Sequence, residues 1–421
     1  MMSSPYYDER ETRTAQEREM ALMAALQRQI AHAQARSPMF SAILAGVDAA
    51  QVRDRQALEQ LPVTRKHDLR ELQGSHRQGN GASGLFGGFS ALVYGPDLPR
   101  VFASPGPIYE LQGKGRDYWR MGRALYAAGF RRGELVHNAF SYHFVPAGAM
   151  MEAAAHALGC TVFAAGTGQT EQQVRAIADL CPAGYVGTPS FLRLIVERAQ
   201  ALGVRIPSLA KALLSAEAFP PSLRDWLITQ GIQGFQCYGT ADVGLIAYET
   251  SAREGLVLDE DLIVEIVHPG TGTPVPDGEM GELVVTNLNP DYPLIRFGTG
   301  DLSAVLPGQC ATGRTNKRIR GWLGRTDQAT KIRGMFVYPS QVAEIVGRFP
   351  EIHKARLVVD GRMSSDEMIL QVEVGADPDG LQGRIADAMR EVTKLRGEVH
   401  FTAPGGLPED GRLIEDRRSY D

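Results

Sequence analysis

Tyr238-Gly239-Thr240-Ala241-Asp242, Arg296-Phe297-Gly298-Thr299-Gly300-Asp301-Leu302 and Gly324-Arg325-Thr326-Asp327 follow one another down the chain, with Lys331-Ile332-Arg333-Gly334 directly after. Taken singly, each piece is weak. A Gly-Thr-Gly-Asp is most often a β-turn closed by a capping aspartate. The order of the four carries the information that no single piece does.

Working outward from these motifs, the texture of the chain changes twice. From Gly133 to about Gly244, short apolar runs alternate with helical stretches. Strands are expected at Leu135–Asn138, Thr161–Ala164, Tyr185–Gly187 and Ala212–Ser215. Helices are expected at Ala147–Leu158, Thr170–Leu180, Phe191–Leu202 and Ser222–Gln230. That alternation argues for parallel βαβ units with right-handed crossovers. After Gly244 come short β runs, Leu262–Val267 and Gly281–Thr286, separated by a Gly/Pro/Asp-rich stretch in the manner of antiparallel hairpins. Beyond Arg325 the pattern reads as a compact α+β module. The boundary falls at Gly324–Asp327, giving a large domain over 1–324 and a small one over 325–421. Upstream, an amphipathic helix is expected over 14–36, with Met20, Leu22, Met23, Leu26 and Ile30 on its apolar face. Thr64 is expected to cap a helix over Arg65–Leu72, and a further helix is expected over Arg116–Ala128.

At 421 residues, 43% hydrophobic and 22% charged, the chain can bury a core in two domains. A net charge of −5 gives no basis for nucleic acid or an anionic membrane surface as partner. The basic run Arg314–Arg320 reads as a solvated hairpin or loop. The four cysteines, Cys160, Cys181, Cys237 and Cys310, form no C-x-x-C pair, so no zinc site is expected. Cys160 and Cys237 sit among apolar residues as small core side chains, and reduced thiols suit a cytoplasmic protein. The N-terminus has no apolar core of signal-peptide length, and no run of ~18 apolar residues suggests a membrane span.

Further stretches turn this pattern into a family resemblance. Leu61-Pro62-Val63-Thr64-Arg65-Lys66-His67-Asp68-Leu69 resembles "LPxTxKxDL", and Val136–Tyr142 resembles "HNAYGYG". Gly187–Ser190, Ser215–Phe219 and Gly334–Gln341 resemble "TPSY", "GAEPW" and "RGVNVFPSQ". From about residue 10 to 420 the chain is similar to the phenylacetate–CoA ligase family, a branch of the adenylate-forming enzymes. The resemblance implies an α/β adenylate-forming fold, with a large N-terminal AMP-binding domain of βαβ sheets and a small mobile α+β C-terminal domain. It implies AMP-forming ligation of a carboxylate, an aromatic one of the phenylacetate kind, to coenzyme A through an acyl-adenylate. ATP, AMP, Mg²⁺ and coenzyme A are the implied cofactors and co-substrates, and a homodimer is compatible with it. By the same resemblance Asp301 would chelate the ribose hydroxyls and Arg325 would add a ribose or phosphate contact. Thr240 would meet the α-phosphate, and Asp242, glutamate in the family, would contact Mg²⁺. Ser215, Ala216, Glu217, Tyr238 and Gly239 would line the adenine, with Tyr238 stacking on it. Asp327 would be the hinge. Phe140, Tyr142 and Phe144 would bind the arene, Tyr142 and Phe144 facing the same side if the strand continues.

Two departures qualify the chemistry. The family's phosphate loop, of the form SSGTTGKP, is here Ala103-Ser104-Pro105-Gly106-Pro107-Ile108-Tyr109-Glu110. Two prolines remove two amide donors, the lysine is gone, and Glu110 adds a charge of the wrong sign. The family's C-terminal catalytic lysine is also absent: the last lysine is Lys394, and Arg412 is the positional substitute. An active ligase with an altered ATP grip is therefore one reading. A homologue binding nucleotide, acyl-CoA or an aromatic acid without adenylation is the second. A third is an enzyme of the thioester half-reaction alone, or of an unrelated reaction.

Overall fold

Apolar runs bounded by glycine and proline become the strands of one large sheet, because parallel strands covered by helices on both faces must be apolar throughout. In the computed structural model, residues 4–76, 86–268, 271–326, 330–333, 335–337, 339–361, 366–375, 380–409 and 412–418 are described. Five parallel strands, Thr161–Ala164, Leu135–Asn138, Gly184–Gly187, Lys211–Leu214 and Gln233–Thr240, lie side by side in that spatial order. Helices Ala147–Leu158, Thr170–Leu180, Pro189–Ala201 and Pro221–Thr229 connect them. The sheet then continues antiparallel through Gly244–Glu249, Leu256–Leu258, Arg318–Ile319 and Val305–Leu306.

A second sheet runs in the order Thr64–Arg65, Phe297–Ser303, Gly281–Asn287, Leu262–Val267. Its first pair is parallel, Thr64 against Phe297, and the others are antiparallel. The chain divides into two units, Met1–Leu323 and Gly324–Asp421. The second unit has its own core, with Val342, Ile345, Leu357, Leu370, Ile385 and Met389 buried. Its sheet orders Glu398–Thr402, Glu367–Val374, Ile352–Asp360 and Ile414–Asp416, packed with helices Pro339–Gly347 and Leu381–Thr393.

Several local expectations fail for identifiable reasons. The first helix is Ala15–Arg36, closed by a capping box between Thr14 and Glu17. Its buried stripe holds Leu22, Met23, Leu26 and Ile30, but Met20 is 65% exposed. Thr64 is not an N-cap. It lies in the short strand beside Phe297, donating its N–H to the Arg296 carbonyl at 3.0 Å. The helix begins at Lys66, and Asp68 accepts the Arg65 N–H at 3.0 Å. The helix expected over Arg116–Ala128 is only Gly122–Ala127. Arg120 takes φ +62°, which breaks the helical path while its guanidinium holds Asp259 at 2.9 Å and the Val243 carbonyl at 2.8 Å. The basic run is not a solvated loop either. Arg314 and Arg318 are buried, pairing with Glu11 at 2.9 Å and Glu254 at 3.0 Å.

Arg296 is the most demanding of the buried charges. At 2% exposure its guanidinium donates to Glu265 at 2.9 and 3.1 Å and to the carbonyls of Glu59, Leu61 and Gly272. Removing one partner of such a pair leaves a buried uncompensated charge, at about 3–5 kcal/mol. Arg296→Ala is therefore expected to lose about 3–5 kcal/mol in denaturant unfolding. A loss below about 1 kcal/mol, the range of an exposed pair, would show that the guanidinium is not structural.

Candidate active site

The five parallel strands have the 2-1-3-4-5 order of a doubly wound sheet. Such sheets bind ligands beyond the carboxyl ends of their strands, at the point where the order reverses. Here that point lies between Leu135–Asn138 and Gly184–Gly187. The segments leaving these strands carry Phe140–Phe144 and Thr188, the cap of helix Pro189–Ala201, with Ser190 in its first turn, and the next strand delivers Ser215–Phe219. The fifth strand carries Tyr238, Gly239 and Thr240 at its own carboxyl end.

The expected nucleotide residues are locked together by hydrogen bonds. Tyr238 donates its hydroxyl to Asp301 Oδ2 at 2.7 Å, and Trp322 donates its indole N–H to Asp301 Oδ1 at 3.2 Å. The Asp301 N–H reaches Thr299 Oγ1 at 3.1 Å. Ser215 Oγ donates to the Cys237 carbonyl at 2.9 Å, beside Tyr238. Glu217 accepts from Ser190 Oγ at 2.5 Å and so joins the segment after one strand to the start of helix Pro189–Ala201. Ala216 adopts φ +71°, a conformation costly for a side chain bearing Cβ and commonest at sites of function. Thr240 Oγ1 accepts the Val243 N–H at 3.2 Å, closing the turn that leads into Asp242. Gly239 has to be glycine, because a Cβ there would lie 2.5 Å from the Gly244 carbonyl oxygen.

The expected arene residues divide. Phe140 is buried and Tyr142 half-buried, its hydroxyl accepting from Asn138 Nδ2 at 2.8 Å. The strand does not continue past Asn138, so the alternation expected for Tyr142 and Phe144 does not arise. Phe144 takes φ +59° and is 81% exposed. Its carbonyl accepts the Ala103 N–H at 2.8 Å.

In place of a phosphate loop the chain builds a β-hairpin. Strand Arg100–Ser104 pairs antiparallel with Ile108–Gln112, and Pro105-Gly106-Pro107 makes the turn. Glu110, 2% exposed, points inward, where Ser104 Oγ donates to its Oε2 at 2.7 Å. Lys66 Nζ lies 2.6 Å from Asp242 Oδ2 and 3.8 Å from Glu110 Oε1. Burial, then the facing Asp242 carboxylate, pushes the Glu110 carboxyl up to about 8. Burial thus disfavours the adverse charge expected at Glu110. Glu110 Oε1 and Asp242 Oδ1 are buried oxygens without hydrogen-bond partners.

Comparison with known proteins places this arrangement. A family profile described as AMP-binding enzyme matches residues 117–289. A phenylacetate–coenzyme A ligase of Thermus thermophilus is 34% identical over 367 residues, covering 83% of this chain and 80% of the relative. One from Escherichia coli is 31% identical over 393 residues, covering 89% and 86%. This chain belongs to the phenylacetate–CoA ligase family. A 2-hydroxyisobutyryl-CoA ligase, solved with 2-HIB-AMP and CoA in its thioesterification state, superposes with a TM-score of 0.86 at 24% identity. That likeness spans 100% of this chain and 94% of the other and concerns the fold. An o-succinylbenzoate CoA synthetase from Bacillus subtilis is more distant, with a TM-score of 0.57 at 15% identity, covering 75% of this chain and 68% of the other.

Arg325 and Arg412 lie in the second unit. Arg325 is half-buried, and Arg412 is exposed just before strand Ile414–Asp416. Asp327 lies outside the described residues. Three participants escaped the sequence reading: Lys66, Trp322 and Ser190. Lys66 was within reach, since it is the lysine of the "LPxTxKxDL"-like segment. Nothing local marks Trp322, whose partner lies 21 positions away. Among the described residues no group of three His, Cys, Asp or Glu side chains could hold a metal ion. Magnesium, however, commonly uses one or two carboxylates with phosphate and water completing its shell. The unpartnered Asp242 Oδ1 beside Glu110 fits such a nucleotide-borne ion.

A raised carboxyl pKa has a defined effect on stability. Below its unfolded value of 4.5 the contribution of protonated Glu110 is fully present, and it is lost as pH rises through about 8. Thermal unfolding of the wild type should therefore weaken across that window, and Glu110→Gln should flatten the trend. Parallel pH profiles for the two proteins would mean that Glu110 is ionised throughout.

Proposed function

We propose that this chain is an AMP-forming carboxylate–CoA ligase for an aromatic, phenylacetate-like acid. The observation carrying this reading is the Asp301 carboxylate, held from two sides by Tyr238 and Trp322 next to the strand-end loops. In the first step a substrate carboxylate oxygen bonds to the α-phosphorus of ATP and the bond to pyrophosphate breaks. In the second, the CoA sulfur bonds to the acyl carbon, the thiol proton is lost and AMP departs. Both steps depend on placement and charge neutralisation more than on proton transfer.

On this reading Asp301 holds the ribose hydroxyls, and Ser215, Ala216, Glu217, Tyr238 and Gly239 border the base. Thr240 meets the α-phosphate. Asp242 holds magnesium, which supplies charge neutralisation on phosphate when bound. Lys66 is a second cation at the same place, taking over from the missing loop lysine. Phe140 and Tyr142 border the arene crevice, with Phe144 at its rim. The 1–324 segment serves as AMP-binding domain and 325–421 as the mobile domain, turning at Asp327. Arg325 adds its contact from that side, and Arg412 supplies the charge of the absent lysine. The partners are small molecules, and we place the activity in the cytoplasm. Among the described residues no helix is long and apolar enough to cross a membrane.

The hairpin supports a second reading, nucleotide or acyl-CoA binding without adenylation. Segments Arg100–Ser104 and Ile108–Gln112 are paired as strands, and the Ala103 and Tyr109 amides go to the Phe144 carbonyl and Gln73, instead of presenting a phosphate nest. Pyrophosphate exchange dependent on added aromatic acids separates the two. Exchange at or below about 1 s⁻¹, the slow end of enzyme turnover, is expected, and its absence for every acid would leave only the binding reading. In titrations AMP should bind about as well as ATP. ATP binding ~100-fold tighter, about 2.7 kcal/mol, would contradict the loss of triphosphate recognition.

Arg412→Ala should depress exchange by several orders of magnitude while sparing thioester formation from supplied acyl-adenylate. Exchange indifferent to this change would remove Arg412 from the reaction.

A further inference from the structure

Trp322 is 46% exposed, yet its indole N–H is committed to Asp301 Oδ1 at 3.2 Å. The opposite oxygen, Oδ2, takes the Tyr238 hydroxyl at 2.7 Å. A third bond runs from the Asp301 N–H to Thr299 Oγ1 at 3.1 Å, fixing the backbone from which the carboxylate projects. The preceding Gly300 has φ +74°, which sets the direction of that projection. The carboxylate is thus held at both oxygens by donors from distant parts of the chain, 63 and 21 positions away.

This is a costly way to hold an aspartate whose only task is to cap a turn. A capping carboxylate takes its donors from backbone amides one to three residues away. Two side-chain donors, one per oxygen, instead fix the rotation of the carboxyl plane. A vicinal diol donates two hydrogen bonds at fixed separation, so it is recognised only by a carboxylate whose plane is fixed. A carboxylate accepts about four donors in all, so donors from the protein and from a sugar are compatible.

We propose that Trp322 is a positioning residue for sugar recognition, orienting Asp301 so that the site requires an intact 2′,3′-diol. The proposal rests on the reading of Asp301 as the ribose ligand. Tyr238 performs the same task at the other oxygen, so each donor governs recognition of one hydroxyl. The role lies in the indole N–H and not in the ring. Phenylalanine at this place keeps the ring but removes the indole donor from Oδ1, so the carboxyl plane is held less firmly.

The test is calorimetric titration of the full chain and its Trp322→Phe and Trp322→Ala variants with AMP, 2′-deoxy-AMP and 3′-deoxy-AMP. Wild type is expected to lose affinity for either deoxy nucleotide. Trp322→Phe is expected to bind AMP about tenfold more weakly, as for loss of one hydrogen bond to a charged group. One of its two deoxy penalties should collapse while the other persists, and Trp322→Ala should behave alike. Loss of packing alone would weaken all three nucleotides equally and overturn the proposal. So would AMP affinity and both deoxy ratios within twofold of wild type in Trp322→Phe. Asp301→Ala tests the underlying reading separately. AMP binding unchanged in that variant, or no AMP binding by wild type, overturns the ribose assignment itself and the proposal with it.

Discussion

The buried ion pair between Arg296 and Glu265 is the constraint on which the first unit depends. Arg296 occupies a left-handed backbone position, φ +45°, at the entry to the strand that carries Asp301. Its guanidinium gathers the Glu59, Leu61 and Gly272 carbonyls, so it fixes the N-terminal segment against the second sheet. The chain leaving Leu61 then pairs Thr64 with Phe297, and the next helix opens at Lys66. One buried guanidinium thereby sets the register of Asp301 and the position of Lys66 together. Such pairs seldom stabilise more than apolar packing would, but they penalise alternatives in which either charge is stranded.

A different economy governs the hairpin that stands in for a phosphate loop. Proline at 105 and 107 leaves few amides to offer a ligand, and the flanking segments are paired as strands. The hairpin is also anchored on both strands near its turn: Gln73 brackets Tyr109 through the Tyr109 N–H and carbonyl, at 2.8 and 2.9 Å, and the paired Ala103 donates to Phe144. What it brings to the site is Glu110, and burial disfavours the charge of that group. The local charge is then carried by the Lys66–Asp242 pair.

Much of the architecture was legible in the sequence, because both sheets and their helices announce themselves by period. Helix Ala147–Leu158 and strands Thr161–Ala164 and Leu262–Val267 fall where the apolar pattern puts them. The failures share a cause: each depends on a partner far away in sequence. Thr64 has the composition of an N-cap but is drawn into a strand by Phe297. Arg116–Ala128 has helical spacing, yet Arg120 leaves the helix to reach Asp259, 139 residues on. Arg314 and Arg318 look solvated until the N-terminal Glu11 and the chain at Glu254 cover them. Charge patterns report exposure only when nothing distant pairs with them.

The same logic applies to the site. Motif order places Tyr238, Asp242 and Asp301 near one another, but residue type alone does not say what each touches. Tyr238 suggested an aromatic platform, and its hydroxyl proves to be the informative group, because it is spent on Asp301. Asp242 suggested a metal ligand awaiting its ion, and it already has a cation in Lys66. In both cases the protein supplies a counterpart of its own for a group the ligand would also address. A polar site buried to this degree cannot be left unsatisfied without a large desolvation cost. The residues that satisfy it in the free protein are therefore part of its recognition chemistry, since any ligand must displace them or bind alongside them.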